Sequence, residues 1–303
     1  MRTVGALLIS VVIGTPFAAS AEGMTGGVTF GYGMSEMDII PFSTSTDLDN
    51  WSIGGRVAFD MGNGWSLNAA AGHVNVDIDA LDTTVTGDRM SFGVAYAFGN
   101  GAWAGVYGEN GSIGIPDSLP IDFSSTSYGI EGGYKAAGYE FSAFYGADGD
   151  ITNYGLAGKY TGVEGLELGA SVQRTNVEFF GSDTDLDFVG VAAAYTINAQ
   201  FNVFGGWART SIDDADADLT TYGIGVGYDM SSFSKVPMIA SIEVARTDIT
   251  FFSTDVAEQD TVRIGLTLPL GGAAASKVPL NSVADPILNP SHGALSQTIM
   301  TMF

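Results

Sequence analysis

The sequence predicts an all-β chain. The expected form is a transmembrane antiparallel up-and-down β-barrel of 14 strands, with short periplasmic turns and longer acidic extracellular loops. Three observations carry this. Apolar residues alternate with small or polar ones over stretches of about ten residues. Tight Gly-Asn-Gly turns and acidic segments take turns in separating these stretches. Aromatic residues recur six positions apart on the apolar phase.

The alternation is clearest early. Trp51, Ile53, Val57 and Phe59 share one face, with Ser52, Gly54, Arg56 and Ala58 between them. Gly62-Asn63-Gly64 then makes a hairpin turn, since Asn and Gly accept positive φ. Trp65, Leu67, Ala69 and Ala71 return. Met90, Phe92, Val94, Tyr96 and Phe98 repeat the pattern before Gly99-Asn100-Gly101, and Trp103, Gly105 and Tyr107 follow. A period of two is that of a strand with two unlike faces. Carried along the chain, it predicts strands over 25–37, 48–61, 64–78, 88–98, 102–110, 124–135, 138–146, 151–161, 164–178, 185–197, 200–210, 219–229, 236–248 and 260–270.

A soluble β-sandwich also alternates. Against it stand the uniform strand length, the difference between the two sets of connections and the aromatic spacing. Tyr128 and Tyr134, Tyr139 and Tyr145, Tyr154 and Tyr160, Phe201 and Trp207, and Tyr222 and Tyr228 are each six apart. Six residues of strand cover about 20 Å, so each pair places one ring near each edge of an apolar band.

The ends read differently from the middle. Arg2, the apolar run Val4 to Gly14 and Ala19-Ser20-Ala21 form a secretory signal peptide over residues 1–21, with the barrel over 22–270. The chain has no cysteine, so it offers no disulfide framework and no thiolate metal site. Its mean hydropathy of +0.21 is high for a net charge of −23. That charge argues against nucleic acid as a partner. No cofactor is expected.

The segment Arg263-Ile-Gly265-Leu-Thr-Leu268-Pro-Leu270, with the strand rhythm before it, resembles the terminal strand of the Gram-negative outer-membrane porin family. The resemblance implies passive diffusion of small hydrophilic solutes and ions across the bacterial outer membrane. It implies contact with outer-membrane lipid and lipopolysaccharide, insertion by the barrel assembly machinery, and a homotrimer as one arrangement beside a lone barrel. It also implies that the loop near 109–124 folds inward and narrows the pore. Glu109, Asp117 and Asp122 on that loop are then expected to face Arg56 and Arg89 across a constriction. The chain departs from the family in lacking the usual aromatic and acidic constriction motif, and in continuing past its last strand.

That continuation, 271–303, carries a Gly-Ala-rich start, Pro279, Pro286 and Pro290. It reads as a linker and weakly ordered periplasmic tail. Two alternatives are a pair of added strands at 278–284 and 294–303, giving 16, and a plug folded into the lumen.

With the bulky face toward lipid, the inward residues are mostly Gly, Ala, Ser and Thr. Such small side chains leave a barrel of this width open to water. Charges also fall on the inward phase, among them Arg56, Arg89, Glu131, Glu243 and Arg263, as wall salt bridges or as a selecting field. Acids concentrate at the extracellular rim, which predicts a cation preference. Asp214-Ala-Asp216-Ala-Asp218 resembles half a calcium loop without its Gly and its terminal Glu, so it reads as solvated acid or a loose calcium site. His73 and His292 lack metal-ligand spacing, and no enzyme is expected. A closed barrel with a structural or adhesive role is the competing reading.

Overall fold

The computed structural model describes residues 23–79, 83–115, 121–179, 182–234, 236–271 and 277–302. The expected signal peptide lies outside them. The strands are β1 (Met24–Ile39), β2 (Thr44–Gly62), β3 (Trp65–Ile78), β4 (Thr83–Ala97), β5 (Ala102–Ile115), β6 (Ile121–Ala136), β7 (Tyr139–Asp148), β8 (Ile151–Tyr160), β9 (Leu166–Phe179), β10 (Ser182–Thr196), β11 (Phe201–Ile212), β12 (Ala217–Asp229), β13 (Ile239–Phe251) and β14 (Thr254–Leu270). Each pairs antiparallel with its sequence neighbours, and β1 pairs with β14 from Gly26 opposite Leu270 to Ile39 opposite Ala257. The sheet therefore closes and has no free edge. The fold is the predicted 14-stranded barrel.

The Gly-Asn-Gly turns behave as their chemistry requires. Asn63 sits at φ 52° between Gly62 at 75° and Gly64 at 85°, backbone that most residues adopt only with strain. In the next such turn the Asn100 side chain accepts a hydrogen bond from the Ala102 amide at 3.0 Å.

At the opposite rim the strands run further than the sequence suggested. β1 ends at Ile39 and β2 begins at Thr44, and β3 ends at Ile78 with β4 starting at Thr83. The expected constriction loop is largely wall: Glu109 lies on β5, and Asp122 on β6 pairs with Gly114. Acid tolerates this because cross-strand arginines offset it. Arg174 binds Asp185 at 2.6 Å and also Asp187, Arg209 binds Asp218 at 2.9 Å, and Arg246 binds Glu258 and lies 3.4 Å from Asp248. Apart from Asp248, which shares β13 with Arg246, these partners are one strand away, so only the register reveals them.

The outer face carries most of the bulky side chains, exposed from Phe30 and Tyr128 to Ile224 and Val244, whereas Trp103 and Tyr107, expected on that face, turn inward on β5, as do Phe144, Phe188 and Phe204 on their strands. Rings pair across strands at the short-turn rim: Tyr139 with Tyr160 at 4.7 Å, Phe201 with Tyr228 at 4.9 Å and Trp65 with Tyr96 at 5.1 Å between centroids. Towards the loop rim Tyr145 lies opposite Tyr154 and Trp207 opposite Tyr222. Two aromatic girdles thus flank an apolar band.

The lumen holds the tail. Residues 277–302 run inside the barrel, where α1 (Asp285–Leu288) and α2 (Ala294–Met302) pack against the wall. Val283, Ala284 and Gln297 are wholly buried. This corrects the expected periplasmic tail, the two added strands and the water-filled interior. The reason lies in the small residues of the inner face, which form a seat. A Cβ on Gly190 would come within 2.8 Å of the Ile287 side chain, and one on Gly206 within 3.1 Å of the Val283 carbonyl oxygen. Towards the loop rim, Leu295 and Ile299 of α2 complete an apolar layer with Leu48, Val74 and Val76. Each such buried side chain contributes about 1.5–3 kcal/mol relative to exposure.

The outward phase is directly testable. Ile224→Arg, on the lipid face between the girdles, is expected to destabilise the barrel by about 2–4 kcal/mol in vesicle unfolding experiments. An unchanged stability would show that this face does not meet hydrocarbon.

Candidate functional site: the occupied lumen

Strand alternation turns one set of charges inward, and most of them hold the tail. Arg56 on β2 forks onto Asp285 at the start of α1, with nitrogen–oxygen distances of 2.8 and 3.2 Å. A bidentate pair of this kind fixes orientation as well as position.

Glu243 on β13 and Arg263 on β14 are register partners, 3.1 Å apart, with side chains only 3% and 2% exposed. Glu243 also accepts the Val283 amide at 3.1 Å. Arg263 donates to the carbonyl oxygens of Thr301 at 2.8 Å and Met302 at 2.7 Å. Those carbonyls end α2 and have no partner within the helix, so a cation suits them. One wall ion pair thereby grips two separate segments of the tail.

His292 makes the third attachment. Its amide donates to the Glu109 carboxylate at 2.8 Å, and its Nε2 lies 3.0 Å from Glu131. The ring stacks on Tyr107 at 3.6 Å and meets Phe144 edge-on at 5.0 Å. Burial alone disfavours the imidazolium, but hydrogen bonds to Glu109 and Glu131 and their charges outweigh it, holding the pKa up at about 9. Within the tail, Gln297 donates to the Pro286 carbonyl at 2.7 Å and accepts from the Ser291 hydroxyl at 3.0 Å, which ties α1 to α2.

The sequence-predicted residues therefore divide into groups. Glu109 and Glu131 converge on His292, and Glu243 meets Arg263. Arg56 meets Asp285 instead of the acids expected across from it. Arg89 lies beside a cavity, buried. Asp117 and the side chains of Asp122 and Asp214 lie outside the described residues. Asp216 follows a 3₁₀ turn, and Asp218 is engaged by Arg209 and Ser211. Among the described residues no group of three His, Cys, Asp or Glu side chains is placed to hold a metal. His73 faces outward, 2.8 Å from Asp88. Asp285 and Gln297 escaped the sequence reading, and His292 was weighed there only as a metal ligand. Their one signal was polar side chains set among apolar residues and prolines in a supposed linker.

Cavities of about 310 and 470 Å³ lie beside the tail. They share Arg56, Ala58, Asn68, Glu140, Lys159 and Asn289, and the larger reaches Gly138 and Thr161 at the short-turn rim. The lumen is thus partly open on that side, while α2 and its apolar layer lie towards the other.

Two predictions follow from the attachments, both read as trypsin cleavage after Lys277, scaled to a free peptide at the same pH. Arg263→Met leaves Glu243 buried without its partner, which costs about 3–5 kcal/mol, so cleavage should rise on the order of a hundredfold or more. Adding Glu243→Gln should recover part of this. The His292 pKa is raised in the docked state, so its contribution is full below the ordinary value and fades as pH rises through about 9. Cleavage should therefore increase across that range, and His292→Gln should flatten the dependence.

A family profile for Gram-negative porins matches residues 84–236. No curated protein matches the chain. Among solved structures, a FadL homologue from Pseudomonas aeruginosa superposes with TM-score 0.53 at 11% identity, over 86% of this chain and 93% of its own. A deletion mutant of the TodX monoaromatic hydrocarbon channel gives 0.51 at 10% identity, over 86% and 94%. An anion-selective porin from Comamonas acidovorans gives 0.46 at 12% identity, over 81% and 99%. At these identities the first two likenesses speak for the barrel fold alone. With the matched profile covering half of its length, the chain belongs to the Gram-negative porin family and is a β-barrel of the outer membrane.

Proposed function

We propose that this barrel is a diffusion channel held closed by its own C-terminal tail. It conducts small hydrophilic solutes and ions, with a preference for cations, when the tail leaves the lumen. The observation that carries this reading is the way residues 277–302 are held. Beside contacts to neutral groups such as Thr29, Gln173 and Thr175, their ion pairs and several of their hydrogen bonds run to charged groups of the wall, through Arg56, Glu243, Arg263, Glu109 and Glu131. Charged groups of this kind remain soluble in a water-filled lumen once the tail departs, whereas a permanent core would be apolar. The acidic loop rim supports the cation preference, because the local potential gathers cations within about a Debye length.

The competing reading is a permanently closed barrel with a structural or adhesive role. Extensive burial of the tail is what favours it.

Planar-bilayer recordings separate the two. Full-length refolded protein should give small or rare conductance steps. A chain ending at Leu270 should give large, stable ones, with a reversal potential in a salt gradient that favours cations. A silent truncated barrel would support the structural role, and anion selectivity would overturn the cation preference.

A further inference from the structure

We infer that the smaller cavity, between the tail and strands β2 to β8, is a binding site for a small organic carboxylate with an apolar body. The site rests on the docked tail described above, but not on whether the barrel conducts. The key group is Arg89. Its side chain is 9% exposed, and its Nε has no hydrogen-bond partner among the described residues. Every other inward cation described at this level is engaged: Arg56 by Asp285, Lys159 by Glu167 and Asn289, His292 by Glu131. Arg89 has no ion pair of that kind among the described residues. A buried guanidinium whose fork is not satisfied by protein is a receptor for a planar anion.

The walls narrow the class. Arg89 and Ser91 supply polar groups on one side, and the tail supplies Asn289 and Ser291 on the other. Trp103, Phe144 and Leu288 supply apolar surface. Glu131 and Glu140 also line the cavity and would repel a second negative charge. A monoanion with an apolar body fits this set better than a phosphate dianion. A volume of about 310 Å³ is at the low end for small-molecule sites. The six shared residues connect the cavity to the one that reaches the short-turn rim, so the ligand enters from the periplasmic side. Because tail and wall each contribute contacts, the ligand binds the closed form and stabilises it.

Isothermal titration of the full refolded chain in detergent tests this, with benzoate, acetate and inorganic phosphate as probes. Benzoate should bind saturably at one site, more tightly than acetate or phosphate. Arg89→Gln should weaken it by about tenfold or more, the loss of one charge-assisted contact, while Arg174→Gln on the outer face should leave it unchanged. Ser91→Phe, which fills the cavity, provides a second route to the same loss should Arg89→Gln fold poorly. Removal of residues 271–303 should also abolish binding, because it takes away half of the site. Absence of saturable benzoate binding would assign Arg89 to balancing Glu109 alone and overturn the proposal. Binding that survives both point substitutions, or phosphate bound more tightly than benzoate, would overturn it equally. None of these results depends on conductance, so a truncated barrel that failed to conduct would leave the site standing.

Discussion

A closed barrel of 14 strands encloses more volume than glycine, alanine and serine can fill. That mismatch is the constraint behind the rest of the structure. On the outer face lipid meets the large side chains. On the inner face the small ones must meet either water or another piece of protein. Here residues 277–302 supply that piece, and the glycines of β9 to β12 are spaced so that Leu288, Ile287 and Val283 sit directly on backbone. The same glycines that read as a bare pore wall are the floor of a packed interface.

The interface is more polar than a domain core. Its anchors are the Arg56–Asp285 fork, the Glu243–Arg263 pair with its two tail segments, and His292 between two glutamates. Buried ion pairs of this kind add little net stability over apolar substitutes, and breaking one is expensive. They are suited to defining where the tail sits. They also leave charged groups behind that water can receive, so docking and release are both physically available to the same wall. The cavities beside the tail leave part of the lumen open towards the short-turn rim.

The sequence showed the barrel well and the lumen poorly, for one physical reason. Period-two alternation is a local property, so the phase of Trp51, Ile53, Val57 and Phe59 can be read without knowing any neighbour, and the Gly62-Asn63-Gly64 turn is dictated by its own φ values. Arg174 opposite Asp187, and Glu243 opposite Arg263, require the register between strands. The tail requires more still. Pro279, Pro286 and Pro290 correctly spoke against added strands, yet the same prolines made the segment look like a linker. What decided its place was the complementary shape of a wall assembled from residues far away in sequence. Asp285 and His292 could not be recognised as partners of Arg56 and Glu131 before that wall existed. The loop expected at 109–124 failed similarly, since alternation continues through Glu109 into the upper wall where strand pairing holds it.

The central claim is that the tail occupies the lumen, and the absence of native cysteine makes it accessible to a crosslink. A Gly190→Cys, Ile287→Cys double variant places two thiols side by side on β10 and α1. Mild oxidation of the folded protein in membranes should join them rapidly, seen as faster migration of the denatured chain. If no disulfide forms while the cysteine at position 287 reacts freely with a water-soluble maleimide, the tail lies outside the barrel and the account fails.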